Sequence, residues 1–346
     1  MKKLLLPLLL LVLGLTAWWL WKNNTGTTLA GPLSDFAVTD TAAVDRIFIA
    51  DKQGRTADLR RATLTGGEAG WTVNGLPAKS FQVQLLLKTF RLVEIRGPVP
   101  KSAEENVLRV MAGTARKVEI YQGGDAPAKI WWVGQGTMDH YGTYMVLEVP
   151  GTGRSNVPFA IGMAGFNGVL NTRFSTDLDA WRSSAVTRYL DLNTVTRLQV
   201  EHPADPDQGF VLLNQQGRLE LQDLAGLALP MDTSLARDAM RALRTGNFEG
   251  FERSLTQAKA DSIRASLPMH VLTVTSDRGV QRLPFWKKAP FPGQRDMELR
   301  LLTEDRDRMY TVVDDTSLVI VQRFWWDRIL RTKDRMEGLN TAAATP

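Results

Sequence analysis

Val44-Asp45-Arg46-Ile47-Phe48-Ile49 and Val195-Thr196-Arg197-Leu198-Gln199-Val200 read as one strand written twice, at an offset of 151 residues. In each copy an Arg is followed by two apolar residues spaced two apart, Ile47 and Ile49 in the first and Leu198 and Val200 in the second, the period of a half-buried strand. Further along the chain, Leu87-Lys88-Thr89-Phe90-Arg91 meets Met240-Arg241-Ala242-Leu243-Arg244 at an offset of 153. Later runs keep the order: a strand at Val271 to Val274, an aromatic strand at Phe285-Trp286, then Leu299 to Leu301 and Tyr310 to Val313. Arg173-Phe174 finds a counterpart in Arg323-Phe324 at an offset of 150. A near-constant offset over elements in one order marks an internal repeat, so the sequence predicts a duplication whose halves meet near Ser183 to Leu192.

Within the first half, Asp51-Lys52-Gln53-Gly54 supplies the turn of a hairpin, and Gly70 to Val73 is a strand entering an Asn74-Gly75 turn. Ser80 is placed to cap a helix whose apolar residues Val83, Leu86, Leu87 and Phe90 follow helical spacing and which ends before Gly97-Pro98. A short helix over Ser102 to Met111 follows. Then come β-rich runs at Val118 to Tyr121, Ile130 to Val133, Tyr144 to Val149 and Val157 to Ile161. Strands, a helix and a meander of strands predict an α+β fold rather than alternating βαβ units.

The chain opens with Lys2 and Lys3 before an uncharged apolar run, Leu4 to Trp21. Its 18 residues would extend roughly 27 Å as a helix, close to the hydrocarbon thickness of a bilayer. Trp18, Trp19 and Trp21 before Lys22 have the composition of an interfacial belt. A cleaved signal peptide is the competing reading, but its small-residue site, Thr28-Leu29-Ala30, lies far beyond Trp21. The expectation is therefore an N-terminal transmembrane helix followed by two tandem, mainly antiparallel β-sheet domains each with packed helices. The expected bounds are an anchor over 1–22, a tether over 23–43 with a docked segment at Phe36-Ala37-Val38, domains over 44–186 and 187–332, and a flexible tail over 333–346. Positive charge ahead of the span predicts an inner-membrane, single-pass protein with its N-terminus in the cytoplasm and its bulk in the periplasm.

Composition narrows the chemistry. The chain has no cysteine and three histidines among 346 residues, which removes disulfides, thiolate nucleophiles and Cys-type metal sites. The formal charge of +5 includes Lys2, Lys3 and Lys22; the remainder is close to neutral, with acids and bases interleaved, so no phosphate-binding stripe and no nucleic-acid partner is expected. Asp139-His140-Tyr141 lies in a Gly-rich loop, without the Gly-x-Ser-x-Gly or His-Glu-x-x-His signature of a hydrolase. His202 and His270 have no second His at metal spacing and read as structural. Gly162 to Gly168 is rich in small residues and offers Phe166 as a stacking face and Asn167 as an amide. Trp131-Trp132 and Trp325-Trp326 each place one indole in the core and one toward a partner. The candidate ligand or partner residues are thus Phe166, Asn167, Trp131, Trp132, Trp325 and Trp326, with no catalytic residue, metal or cofactor.

Several of these pieces stand together in a known order: Val44 to Asp51, Gly70-Trp71, Val93 to Val99, Gly142 to Met145, Pro158-Phe159, Gly165 to Gly168 and Asp177-x-x-x-Trp181-Arg182. As a set they resemble bacterial envelope proteins carrying domain of unknown function 4340, over about Val44 to Val200. Many such relatives have an Asp where this chain has Lys79-Ser80, so no role of that Asp carries over. The resemblance implies a short-anchored envelope protein, with relatives associated with exporter-type or gliding-type assemblies, and implies no catalytic residues. The functional expectation is a non-enzymatic scaffold or accessory subunit contacting lipid through Leu4–Trp21 and other envelope proteins. The alternatives are a periplasmic glycan- or peptide-binding module and a hydrolase at Asp139 and His140.

Overall fold

The computed structural model describes residues 14–16, 18, 33–64, 67–314 and 317–338. Most of the leader Leu4–Trp21 lies outside them, as do much of the tether and the last eight residues. No helix among the described residues is long and apolar enough to cross a membrane. The chain divides into two compact units, Met1–Ser183 and Ser184–Pro346.

The first unit is a sheet built from β1 (Arg46–Ala50), β2 (Thr56–Thr63), β3 (Ala69–Val73), β4 (Leu76–Pro77), β5 (Val93–Pro98), β6 (Arg116–Tyr121), β7 (Lys129–Gly136), β8 (Thr143–Val149), β9 (Gly153–Arg154) and β10 (Phe159–Met163). Its order is β4-β3-β2-β1-β6-β7-β8-β10-β5, with β9 beside β8. Helices α1 (Ser80–Leu92) and α2 (Lys101–Thr114) cover opposite faces, and α3 (Leu178–Trp181) is one turn. The second unit holds β11 (Ala185–Thr187), β12 (Val195–Glu201), β13 (Phe210–Gln215), β14 (Arg218–Asp223), β15 (Ala228–Leu229), β16 (Gly246–Asn247), β17 (Gly250–Phe251), β18 (His270–Ser276), β19 (Gly279–Lys287), β20 (Arg308–Val313) and β21 (Ser317–Gln322). Its main order is β15-β14-β13-β12-β18-β19-β20-β21-β17, the order of the first sheet with each strand replaced by its counterpart. Helices α4 (Thr233–Ala242), α5 (Gln257–Ala265), α6 (Arg323–Trp326) and α7 (Lys333–Met336) complete it, and β11 pairs with β16 as a separate small sheet.

The α+β class is therefore corrected, while the membrane helix expected over Leu4–Trp21 lies mostly outside the described residues. The described chain is mostly antiparallel β, in sheets of ten, two and nine strands with few helices. The reason is local: among the described residues each unit has two apolar faces at helical spacing for more than two turns, and nearly every remaining apolar run there is short, alternates and finds a hairpin partner. The longest of these helices, α2, carries Lys101, Glu104, Glu105 and Arg109 and is an amphipathic cover for a sheet.

Residue by residue, the turns follow their chemistry. Asp51 accepts the Gln53 and Arg55 N–H groups, and Asn74 and Gly75 take φ of 48° and 85°, the two left-handed positions of a tight hairpin turn. Ser80 is not a cap: Lys79 occupies that place without a side-chain cap, its N–H bonding the Trp181 carbonyl and its Nζ the Asp179 carbonyl. Helix α1 stops at Leu92 because Val93 onward alternates as β5, up to Gly97-Pro98. Leu299–Leu301 is not a strand; it lies in the connection between β19 and β20. Lys333–Met336, read as the start of a tail, is a helix with Met336 buried and its carbonyl accepting the Asp232 N–H.

Each unit has its own core. In the first, Trp131 is fully buried, with Phe90 at 5.0 Å, Phe36 at 6.1 Å and Phe174 at 6.2 Å between ring centroids. Phe36 and Val38 are buried as the tether docks, held by the Val38 N–H on the Phe90 carbonyl and by Lys129 on Asp35 and Ala37. In the second, Phe285 packs on Trp326 at 5.1 Å. Phe174 is buried but Phe324 is 84% exposed, so the offset of Arg173-Phe174 onto Arg323-Phe324 does not hold in space; Trp326 fills the aromatic role there.

Candidate functional site

The strand pair β7–β8 is closed by six residues, Thr137 to Gly142, whereas β19–β20 is closed by twenty, 288–307. The longer connection is an ordered prong. At its base the buried Lys288 ammonium lies 3.3 Å from the buried Asp305 carboxylate, and the Asp305 N–H bonds the Lys288 carbonyl. Asp305 also accepts the Asp307 and Arg308 N–H groups. The neck is closed by the Leu302 N–H on the Gln294 carbonyl and a bridge between Arg295 and Leu301. At the tip Asp296 accepts the Glu298 and Arg300 N–H groups, Arg295 donates to the Leu299 carbonyl, and Arg300 pairs with Asp296 and Glu298. These polar groups are satisfied within the loop; the apolar ones are not. Phe291, Met297, Leu299 and Leu301 are all exposed. Each such side chain left in water forgoes about 1.5–3 kcal/mol of burial, and a cluster of them on an ordered loop marks a contact surface.

In the first unit, an apolar groove of about 630 Å³ opens where β5 runs into α2. Leu33, Pro98, Val99, Val157 and Phe159 form its walls, and Lys101 and Glu104 from the first turn of α2 stand at its rim.

The residues singled out in the sequence fall in several places. Trp131 and Trp326 are core residues; Trp132 and Trp325 are half-buried. Trp132 faces the opposite side of the sheet from Trp131, gives its indole N–H to Glu148, and carries Arg154 at 4.3 Å, Lys52 at 5.4 Å and Lys117 at 5.8 Å from its ring. Trp325 carries Arg328 at 4.8 Å. Phe166 is half-buried with the Arg173 guanidinium 4.4 Å from its ring centre, so one face of the ring already holds a cation, while Asn167 is exposed. Within the first unit Trp131 and Trp132 face opposite sides of one sheet, so the residues there do not form one site, and Trp325 and Trp326 belong to the second unit.

Asp139 and His140 form a turn. Thr137 donates its hydroxyl to Asp139 at 2.5 Å, the Tyr141 N–H bonds the same oxygen, and these bonds hold the carboxyl below its usual range. His140 is exposed at φ 60°, and the neighbouring hydroxyl is engaged by Asp139. A nucleophile–base pair is not what this arrangement presents.

One contact escaped the sequence. His202 and His270 stand at the facing ends of β12 and β18, where Glu201 pairs with Val271, and their Nδ1 atoms are 2.8 Å apart. No group of three or more His, Asp or Glu side chains able to hold a metal occurs among the described residues. No family model, no curated protein and no solved structure matches the chain.

Proposed function

We propose that the chain is a membrane-anchored, non-enzymatic envelope protein that acts as a scaffold or accessory subunit of a membrane or periplasmic assembly. The observation that carries this reading is the prong over 288–307, a braced loop with exposed Phe291, Met297, Leu299 and Leu301 where the first unit has a six-residue turn. A loop whose polar groups bond one another and whose apolar groups face water is built to be covered by another surface. The apolar leader Leu4–Trp21 supports attachment to lipid, and the ordered motifs that resemble domain of unknown function 4340 support an envelope role near exporter-type or gliding-type components.

The test is crosslinking in membranes followed by capture of the full chain and of a Met297→Ser, Leu299→Ser, Leu301→Ser variant. The expected result is a reproducible partner with the native chain, lost with the variant, while both remain in the membrane fraction. Partner recovery independent of the prong, or recovery of the chain from the soluble fraction alone, overturns the reading. A glycan- or peptide-binding module at Phe166 and Asn167 has less support, because Arg173 occupies a face of the ring a sugar would stack on.

A further inference from the structure

Resting on the reading of the prong as a partner-binding element, we infer that its partner is a second copy of this chain, the prong of one copy seating in the apolar groove of the next. The described residues present an apolar projection in one unit and an apolar concavity in the other. Met297, Leu299 and Leu301 project from the second unit, and the groove walled by Pro98, Val99, Val157 and Phe159 opens in the first. Its volume of about 630 Å³ is ample for the Met297 and Leu299 side chains; cavities of this size hold groups larger than two such chains.

Charge supports the same pairing. The rim offers one cation, Lys101, and one anion, Glu104. Asp296 and Glu298 flank Met297 directly, with Arg295 and Arg300 just beyond. Glu298 and Arg295 are exposed while bonded within the loop to Arg300 and to the Leu299 carbonyl, and a seated tip can in addition set Glu298 against Lys101 and Arg295 against Glu104, so that both signs are matched. A lipid surface fits less well, since the two acids beside Met297 would have to approach headgroups with the apolar side chains. Because donor and acceptor are different surfaces, the contact is head-to-tail: each copy has one of each, and copies add in series until a ring closes.

The absence of native cysteine makes the test direct. Met297→Cys and Lys101→Cys are both on exposed positions, so neither disturbs the fold. Full-length chains carrying one change each and different tags are co-expressed, and their membranes are treated with a short bismaleimide. The expected product has twice the chain mass and both tags, and a chain bearing both changes gives a ladder of higher multiples. With Ser155→Cys as the groove thiol, Lys101→Glu lowers the yield at least fivefold and adding Glu298→Lys restores it. A product at chain mass from the double variant with none from the mixed chains, or a yield indifferent to charge reversal, overturns the proposal. Capture of Met297→Cys by a different protein overturns self-assembly and leaves the scaffold reading standing; no product from any thiol pair overturns self-assembly, and the scaffold reading is then decided by the partner capture described above.

Discussion

His202 Nδ1 lies 2.8 Å from His270 Nδ1, while His202 Nε2 lies 2.9 Å from the Arg331 carbonyl. The carbonyl can only accept, so the neutral His202 carries its proton on Nε2, and its Nδ1 accepts the Nδ1–H of His270. Burial pushes both imidazoles down; for His270 burial, then the neighbouring His202 and Arg323, bring it to about 4, and for His202 the Arg331 carbonyl and Asp205 oppose the fall. Both rings are thus neutral in the fold and would take up protons more readily once unfolded.

The sign of the pH dependence follows. Below the ordinary histidine value of about 6.5 the unfolded chain binds more protons than the folded one, so stability rises with pH in that window. The contribution is fully present above about 6.5 and is lost as pH falls toward the His270 value of about 4. The second unit is expected to lose roughly 3 kcal/mol between these limits. Urea midpoints followed from pH 7 to pH 4.5 check this; a His270→Gln variant that kept the full slope would show that the pair is not its source.

Trp131 fills the first core, yet its indole N–H has no hydrogen-bond partner there. A buried donor left unpaired costs about 1–3 kcal/mol. Trp131→Ala opens a large cavity and is expected to cost about 4 kcal/mol. Trp131→Phe keeps most of the ring, removes the unpaired donor, and is expected to cost less than half as much. Pairing register supports this tolerance: Trp131 faces Val118, and the counterpart of Val118, Leu272, faces Leu283, whose side chain has no donor to satisfy. Equal losses for the two variants in denaturant titrations would count against the argument.

That same register shows what could be read from the residues and what could not. Ile47, Ile49, Leu198 and Val200 are fully buried on matching strands because a period of two exposes which face is apolar. The aromatic residues of the two sheets sit at different places in that register: Trp131 faces Val118, whereas Phe285 faces His270. Met297, Leu299 and Leu301 also alternate, but Leu299 has φ 64° and Asp296 gathers the turn N–H groups, so the period belongs to a loop tip in water. Alternation reports a periodic backbone only where a neighbouring strand exists to bury one face. The prong is therefore misread because its alternation has no neighbouring strand, and the groove is illegible because its walls come from segments far apart in sequence. His202 and His270 are 68 residues apart, and only the pairing of β12 with β18 brings them together.

Gly246 shows how tightly the small third sheet is fitted. A Cβ there would stand 2.5 Å from Thr187 Oγ1 and 2.7 Å from the buried Trp326 ring, while the Gly246 N–H bonds that same Thr187 hydroxyl. The neighbours are a hydrogen-bonded hydroxyl and a ring packed on Phe285, so neither can move freely. Gly246→Ala is expected to cost about 1–3 kcal/mol by overpacking. Gly97→Ala, where a Cβ meets open space, is the control and is expected to be near neutral. Thermal scans of the two variants check the contrast.

The base of the prong decides whether its tip is presented or collapses. Lys288 and Asp305 are both buried, and Asp305 binds the ammonium while accepting the two N–H groups that start β20. Asp305→Asn keeps an acceptor for those N–H groups but leaves the Lys288 charge without its counter-ion; breaking a buried pair from one side costs about 3–5 kcal/mol. Because the loop is closed locally, the loss is expected first as opening of the prong rather than unfolding of the sheet. Trypsin should then cut after Arg295 and Arg300 at least tenfold faster than in the native chain. The paired change Lys288→Met with Asp305→Asn removes the stranded charge and is expected to recover much of the resistance. Unchanged cleavage in Asp305→Asn would mean that the neck contacts between Gln294 and Leu302 hold the prong without the buried pair.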